Sequence, residues 1–123
     1  MAQKILIVDD EAAILLAFKK MLQNKDTEVD TAETMGEAEN LLKRNIYYAA
    51  IVDLRLTGVT GEEGLEIIKY IKEYSNQTHV ILVTGYGSPK VMEKAQALGA
   101  AFYFEKPISR DTLKNALRSL GIE

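Results

Sequence analysis

The residues of this chain best suited to chemistry are mostly acidic, and they stand at the ends of apolar runs. Asp9 and Asp10 follow Ile5-Leu6-Ile7-Val8, Asp53 follows Ala49-Ala50-Ile51-Val52, Thr84 follows Val80-Ile81-Leu82-Val83, and Lys106-Pro107 follows Ala101-Phe102-Tyr103-Phe104-Glu105. If these runs are strands of one parallel sheet, their carboxyl ends gather three carboxylates, a hydroxyl and an ammonium group along one edge. Carboxylates crowded in this way repel one another and raise each other's pKa, so such a cluster usually serves to hold a cation. Oxygen donors, no cysteine and a single histidine favour Mg²⁺, with Mn²⁺ an acceptable substitute, over zinc. Mg²⁺ keeps water and phosphate oxygens among its ligands, which suits the cluster to an incoming phosphoryl group. Three carboxylates, one divalent cation and Lys106 sum to zero formal charge, so an anionic donor can approach. Phosphoryl transfer needs chiefly in-line positioning and charge neutralisation, so a screened carboxylate can act as the nucleophile. Asp53, single and central, is the candidate nucleophile, and the adjacent Asp9 and Asp10 are candidate metal holders.

The elements that must position these groups are legible in the hydropathy pattern. The three near-continuous apolar runs have the length and character of strands buried on both faces. Glu28-Val29-Asp30-Thr31-Ala32 and Ala101–Glu105 are mixed in polarity and are expected to be edge strands. Between the strands, apolar residues recur at helical spacing: Ile14, Phe18 and Leu22; Ala38, Leu41 and Leu42; Leu65, Ile68 and Ile71; Val91, Ala95 and Leu98; Leu113, Leu117 and Leu120. Thr34-Met35-Gly36-Glu37 is a capping-box pattern, Ser88-Pro89 offers an N-cap followed by proline, Ser109 can cap the last helix, and Gly99 and Gly121 stand where helices should stop. Strand then helix, five times over, predicts a doubly wound α/β fold: a five-stranded parallel sheet with helices on both faces. With the second and fifth strands at the edges the order is flavodoxin-like, 2-1-3-4-5, and the ligand crevice lies between strands one and three.

Composition narrows the class further. The chain has 123 residues, a net charge of −3 and 47% hydrophobic residues, which suits one compact domain over residues 1–123. Five strand–helix units account for all of it, so no effector domain is expected in this chain and its output must pass through a partner. No basic cluster stands at either end, so no direct nucleic-acid contact is expected. No apolar run approaches the ~20 residues of a membrane span, no secretory leader is apparent, and a cytoplasmic location with no membrane partner is expected.

Asp9-Asp10 after strand one, Asp53 after strand three, Thr84-Gly85 after strand four, and Tyr103 three positions before Lys106-Pro107 together closely resemble the receiver domain of two-component response regulators, of the single-domain CheY-like kind. The resemblance covers essentially the whole chain and implies that Asp53 is phosphorylated by a sensor histidine kinase or a histidine phosphotransfer protein. It further implies that Asp10, Asp53 and the backbone carbonyl of Arg55 ligate Mg²⁺ directly, that Asp9 acts through water, and that Lys106 contacts the phosphoryl oxygens and Asp53. By the same resemblance the Thr84 hydroxyl moves toward the phosphoryl group and Tyr103 fills the vacated space. A downstream protein then reads the face formed by helix four, strand five and helix five. A cis Lys106-Pro107 bond is also implied, and Arg55 and Tyr86 occupy places the family uses to tune loss of the phosphoryl group. The chain departs from the family pattern after Asp53, where Thr57 replaces the usual proline and the loop Leu56–Gly64 is longer by a few residues.

The same residues also admit plainer roles. Asp10 alone could cap a helix, Thr84 could cap a turn, and Tyr103 could be edge-strand packing. His79 precedes strand four at the end opposite the pocket and is assigned no chemistry. Glu62-Glu63 reads as a solvated loop. Gly58, Gly61 and Gly64 are not followed by Gly-Lys-Ser/Thr, so no nucleotide P-loop is supported. A flavin mononucleotide protein is disfavoured because Asp9-Asp10 puts anions where a phosphate cradle would be. A haloacid-dehalogenase-type phosphatase would carry Asp-x-Asp after strand one, whereas this chain has adjacent aspartates. A binding module that works without phosphorylation is the remaining alternative.

Overall fold

The computed structural model describes residues 3–56, 62–85 and 87–122. Five parallel strands, β1 (Gln3–Val8), β2 (Thr27–Ala32), β3 (Ala49–Val52), β4 (His79–Thr84) and β5 (Phe102–Glu105), form one sheet in the order β2-β1-β3-β4-β5. The five helices are α1 (Ala12–Leu22), α2 (Met35–Arg44), α3 (Glu63–Tyr74), α4 (Pro89–Ala97) and α5 (Arg110–Ser119). The doubly wound fold, its strand order and both edge strands are as the sequence predicts.

Strand alternation divides the core into two layers. Leu6, Val8, Ala50, Val52, Val80 and Leu82 face one way and pack with Ala38 and Leu42 of α2, Ile67, Ile68 and Ile71 of α3, and Val91 and Ala95 of α4. Their neighbours Ile5, Ile7, Ala49, Ile51, Ile81 and Val83 face the other way and pack with Leu15 and Leu22 of α1 and Leu113, Ala116 and Leu117 of α5. Both faces of the central strands are thus covered, which is why their sequences are apolar without interruption.

The helix ends follow the expected local chemistry. Thr34, Ser88 and Ser109 each accept a hydrogen bond from the backbone N–H three residues on, at 3.1 Å in every case. The reciprocal half of the capping box is displaced by one residue: Glu37 Oε1 accepts from the N–H of Glu33, not of Thr34. Gly99 (φ +96°) and Gly121 (φ +101°) adopt left-handed conformations after α4 and α5.

Three sequence expectations need correction or delimiting. The α1 stripe Ile14, Phe18 and Leu22 is turned: Leu15 and Leu22 are buried, while Ile14 and Phe18 are half-exposed and line an apolar groove with Pro107 and Ile108. Glu63 is not part of a solvated loop; it opens α3 and is buried, because the first turn of that helix presses against the sheet end. Of the long loop after Asp53, Thr57-Gly58-Val59-Thr60-Gly61 lies outside the described residues, as does Tyr86. Among the described residues no helix is long and apolar enough to cross a membrane.

Candidate functional site

Sheet register sets the site. Val8 pairs with Val52 and Thr84 with Glu105, and one step beyond each pair the ladder continues: the Asp53 N–H donates to Val8 O and the Lys106 N–H to Thr84 O, both at 2.9 Å. The Asp9 N–H likewise donates to Ala32 O at 3.1 Å. Asp9, Asp53 and Lys106 are therefore held by backbone bonds at the carboxyl edge, so their side chains start from rigid positions.

Asp9, Asp10 and Asp53 each place a carboxylate oxygen within 4.8 Å of the others. Asp9 and Asp53 are buried, whereas Asp10 is exposed and forms the solvent side of the cluster. Asp10 does not cap α1. The N-cap is Glu11, which has no side-chain cap, and its N–H donates instead to Asp9 Oδ1 at 2.9 Å. Lys106 Nζ donates to Asp9 Oδ2 at 2.8 Å and to Asp53 Oδ2 at 3.2 Å. The following Lys106-Pro107 peptide is cis, as the resemblance implies.

The electrostatics are those of a pocket short of positive charge. Burial pushes the Asp53 carboxyl above its ordinary value; the Lys106 charge opposes this and the nearby Asp9 carboxylate adds to it. Burial alone would lower the Lys106 ammonium, but its hydrogen bond to Asp9 and the charges of Asp53 and Asp9 prevail and raise it. Asp53 Oδ2 is engaged by Lys106, while Oδ1 is buried with no hydrogen-bond partner among the described residues. Hard oxygen donors, one of them buried and unengaged, with Asp10 open to solvent, fit a Mg²⁺-sized cation that retains water.

Thr84, the last residue of β4, is fully buried. Tyr103 pairs with Leu82, two positions before Thr84, so strand alternation puts Tyr103 and Thr84 on the same sheet face, the one covered by α4. Tyr103 is half-buried, but its hydroxyl is covered and lies against Gly87. Arg55 is exposed two positions after Asp53. His79 begins β4 at the opposite end of the sheet, where its ring centroid is 5.3 Å from that of Tyr48.

One residue that positions the site escaped the sequence reading. The Gly64 N–H donates to Leu54 O at 2.9 Å, and a Cβ at Gly64 would overlap the Asp53 carbonyl oxygen and lie 2.7 Å from Leu54 Cα. The start of α3 therefore rests directly on the backbone of Asp53 and Leu54. The only signal in the sequence was a glycine among three in one loop, a pattern that suggests a phosphate cradle more readily than a contact with backbone.

The family model for the response regulator receiver domain matches residues 5–118. The chain is 36% identical over 92% of its length to the alginate biosynthesis transcriptional regulatory protein AlgB of Pseudomonas putida, and it spans about a quarter (25%) of that protein. It is 26% identical over 96% of its length to sporulation initiation phosphotransferase F of Bacillus subtilis, covering 93% of that protein. Among solved structures, a CheY-like response regulator receiver domain protein from Methanospirillum hungatei superposes with a TM-score of 0.87 at 30% identity, covering 98% of this chain and 94% of that one. A family match over nearly every strand and helix, joined to an acidic cluster at the strand ends, makes this chain a member of the response regulator receiver domain family of two-component signalling.

Proposed function

We propose that this chain is a phosphoacceptor switch, in which Asp53 takes a phosphoryl group from a histidine kinase or a histidine phosphotransfer protein. The aspartyl phosphate then alters a surface at α4, β5 and α5 that a downstream protein reads. The observation that carries this is the bridge from Lys106 Nζ to both Asp9 and Asp53, inside a cluster where Asp9, Asp10 and Asp53 lie within 4.8 Å. The whole of residues 1–123 works as one receiver unit on this reading, and it operates in the cytoplasm, where its phosphodonors are made.

Asp10, Asp53 and the backbone carbonyl of Arg55 would hold Mg²⁺, with Asp9 acting through water. When bound, the cation supplies positive charge for the phosphoryl oxygens, in a pocket that otherwise carries one ammonium against three carboxylates. A carboxylate oxygen of Asp53 attacks phosphorus, the bond from phosphorus to the donor's imidazole nitrogen breaks, and that imidazole leaves with its electron pair. Lys106 Nζ pairs with a phosphoryl oxygen in place of one of its carboxylate contacts. The new phosphoryl oxygens are strong acceptors, so the Thr84 hydroxyl turns to donate to one of them, and Tyr103 on the same sheet face responds to the space released. The chain thus catalyses only its own phosphorylation and dephosphorylation. The longer relatives named as transcriptional regulators support an output that passes through another domain or protein.

The test is intact-mass spectrometry after incubation with acetyl phosphate, in Mg²⁺ or in EDTA, on the wild type and Asp53→Asn. A single Mg²⁺-dependent phosphoryl adduct, lost in the variant, is the expected result. An adduct that persists in the variant would overturn the assignment of Asp53. Turnover of added phosphate esters would favour the phosphatase reading instead.

A further inference from the structure

The space left by the missing side chain of Gly87 is filled by a side chain of β5. Gly99 and Gly121 have left-handed backbones, and Gly85 has nothing within 4 Å of where a Cβ would stand. At Gly87 the Cβ position is already taken: a Cβ there would overlap the Tyr103 hydroxyl oxygen, lie 2.9 Å from Tyr103 Cζ and lie 3.3 Å from Glu105 Oε1. Any side chain at this position therefore competes with Tyr103 for space.

We propose that Gly87 is a positioning residue for Tyr103: the space of its absent side chain is the socket that receives the Tyr103 hydroxyl, and the size of residue 87 sets how often Tyr103 occupies its seated position. Two features make the seat easily tipped. The covered Tyr103 hydroxyl has the Ser88 backbone and the Glu105 carboxylate as polar neighbours but makes no well-formed hydrogen bond among the described residues, so it is weakly held. The atom a new methyl group would meet is the far end of a side chain on an edge strand, which can rotate outward, whereas the backbone around it need not move. Burial, and then the Glu105 charge, raise the Tyr103 phenol, so the seated form is the neutral phenol.

The consequence for signalling rests on the reading of Tyr103 as the residue that reports phosphorylation of Asp53. The socket itself is tested without phosphorylation. Wild type and Gly87→Ala are treated with tetranitromethane at neutral pH, and nitration of each tyrosine is followed by peptide mass mapping. Tyr103 is expected to be nitrated several-fold faster in Gly87→Ala, with Tyr47 and Tyr48 unchanged. An unchanged Tyr103 rate in a folded variant, or a rise shared by Tyr47 and Tyr48, overturns the proposal. If Gly87→Ala loses its cooperative melt, adding Tyr103→Leu, which removes the colliding hydroxyl, restores the melt if the socket was filled; failure to restore it overturns the proposal. Acetyl phosphate with Mg²⁺ on the wild type separates the two readings. A Tyr103 that responds to Gly87→Ala and not to phosphorylation supports the socket and removes Tyr103 from the switch.

Discussion

The ammonium group of Lys106 lies 3.2 Å from Oδ2 of Asp53, a residue 53 positions away in the chain, and it is the cation that balances the buried acidic pair. Its side chain is 20% exposed, against 4% for Asp9 and 5% for Asp53, so Lys106 enters from the pocket wall while the carboxylates stay deep.

Removing that cation leaves two buried carboxylates without their shared partner. Lys106→Met is expected to destabilise the protein in EDTA by about 3 kcal/mol, the scale on which breaking a buried ion pair costs stability. Mg²⁺ should recover much of the loss, because a divalent cation neutralises the same carboxylates. Urea denaturation with and without Mg²⁺ measures both; equal loss in the two conditions would separate the lysine from the cation site.

The upward shift of Asp53 gives a pH dependence of definite sign. Between the ordinary carboxylate value of 3.8 and the raised folded value, the native state binds more protons than the unfolded state, so stability falls as pH rises through that window. Above that window the whole penalty is present. In EDTA, Asp53→Asn should therefore melt at a higher temperature than wild type at pH 7, with the difference shrinking as pH approaches 3.8. A variant less stable than wild type at pH 7 would contradict this.

Thr84→Ala separates chemistry from response. The variant keeps Asp9, Asp10, Asp53 and Lys106, so acetyl phosphate should still label Asp53, with stability reduced by about 1 kcal/mol for the lost buried hydroxyl. The change in the Tyr103 environment on phosphorylation, followed by fluorotyrosine NMR, should be weakened. A full response in the variant would remove the hydroxyl from the coupling.

Gly64→Ala and Gly36→Ala make a matched pair. At Gly64 the new Cβ meets the backbone of Asp53 and Leu54, which cannot rotate aside, so a loss of about 3 kcal/mol and weaker Mg²⁺ binding are expected. At Gly36, an exposed residue in the first turn of α2, the nearest atom is Thr34 Oγ1 at 3.9 Å, and alanine should be neutral or stabilising by up to ~1 kcal/mol. Calorimetric Mg²⁺ titration and denaturation on both variants check the contrast. An unchanged Mg²⁺ affinity in Gly64→Ala would free the metal site from dependence on this contact.

Most of the fold, and with it the gathering of the candidate site residues, was legible because burial on both faces writes itself directly into composition. Ile5–Val8, Ala49–Val52 and Val80–Val83 are apolar throughout because helices cover them above and below. The polar Glu28 and Asp30 mark β2 as an edge for the converse reason. Asp9, Asp53, Thr84 and Lys106 could be placed at one edge because a parallel sheet brings all its carboxyl ends together. The α1 face was less legible: Ile14, Leu15 and Phe18 are all apolar, and which of them turns inward depends on how the helix is rotated against β1 and α5.

By itself, then, the sequence determined the properties that depend on near neighbours along the chain: the strand and helix periods, the caps at Thr34, Ser88 and Ser109, the stops at Gly99 and Gly121, and the acidic character of the strand ends. Only the tertiary structure decided the properties that depend on space between distant segments. Glu63 is buried because α3 packs its first turn against the sheet, and Gly64 is constrained because that turn rests on the Asp53 backbone. Gly87, between β4 and α4, has its neighbour in Tyr103 of β5, so its role is written in the volume beside its Cα and in no local pattern of residues.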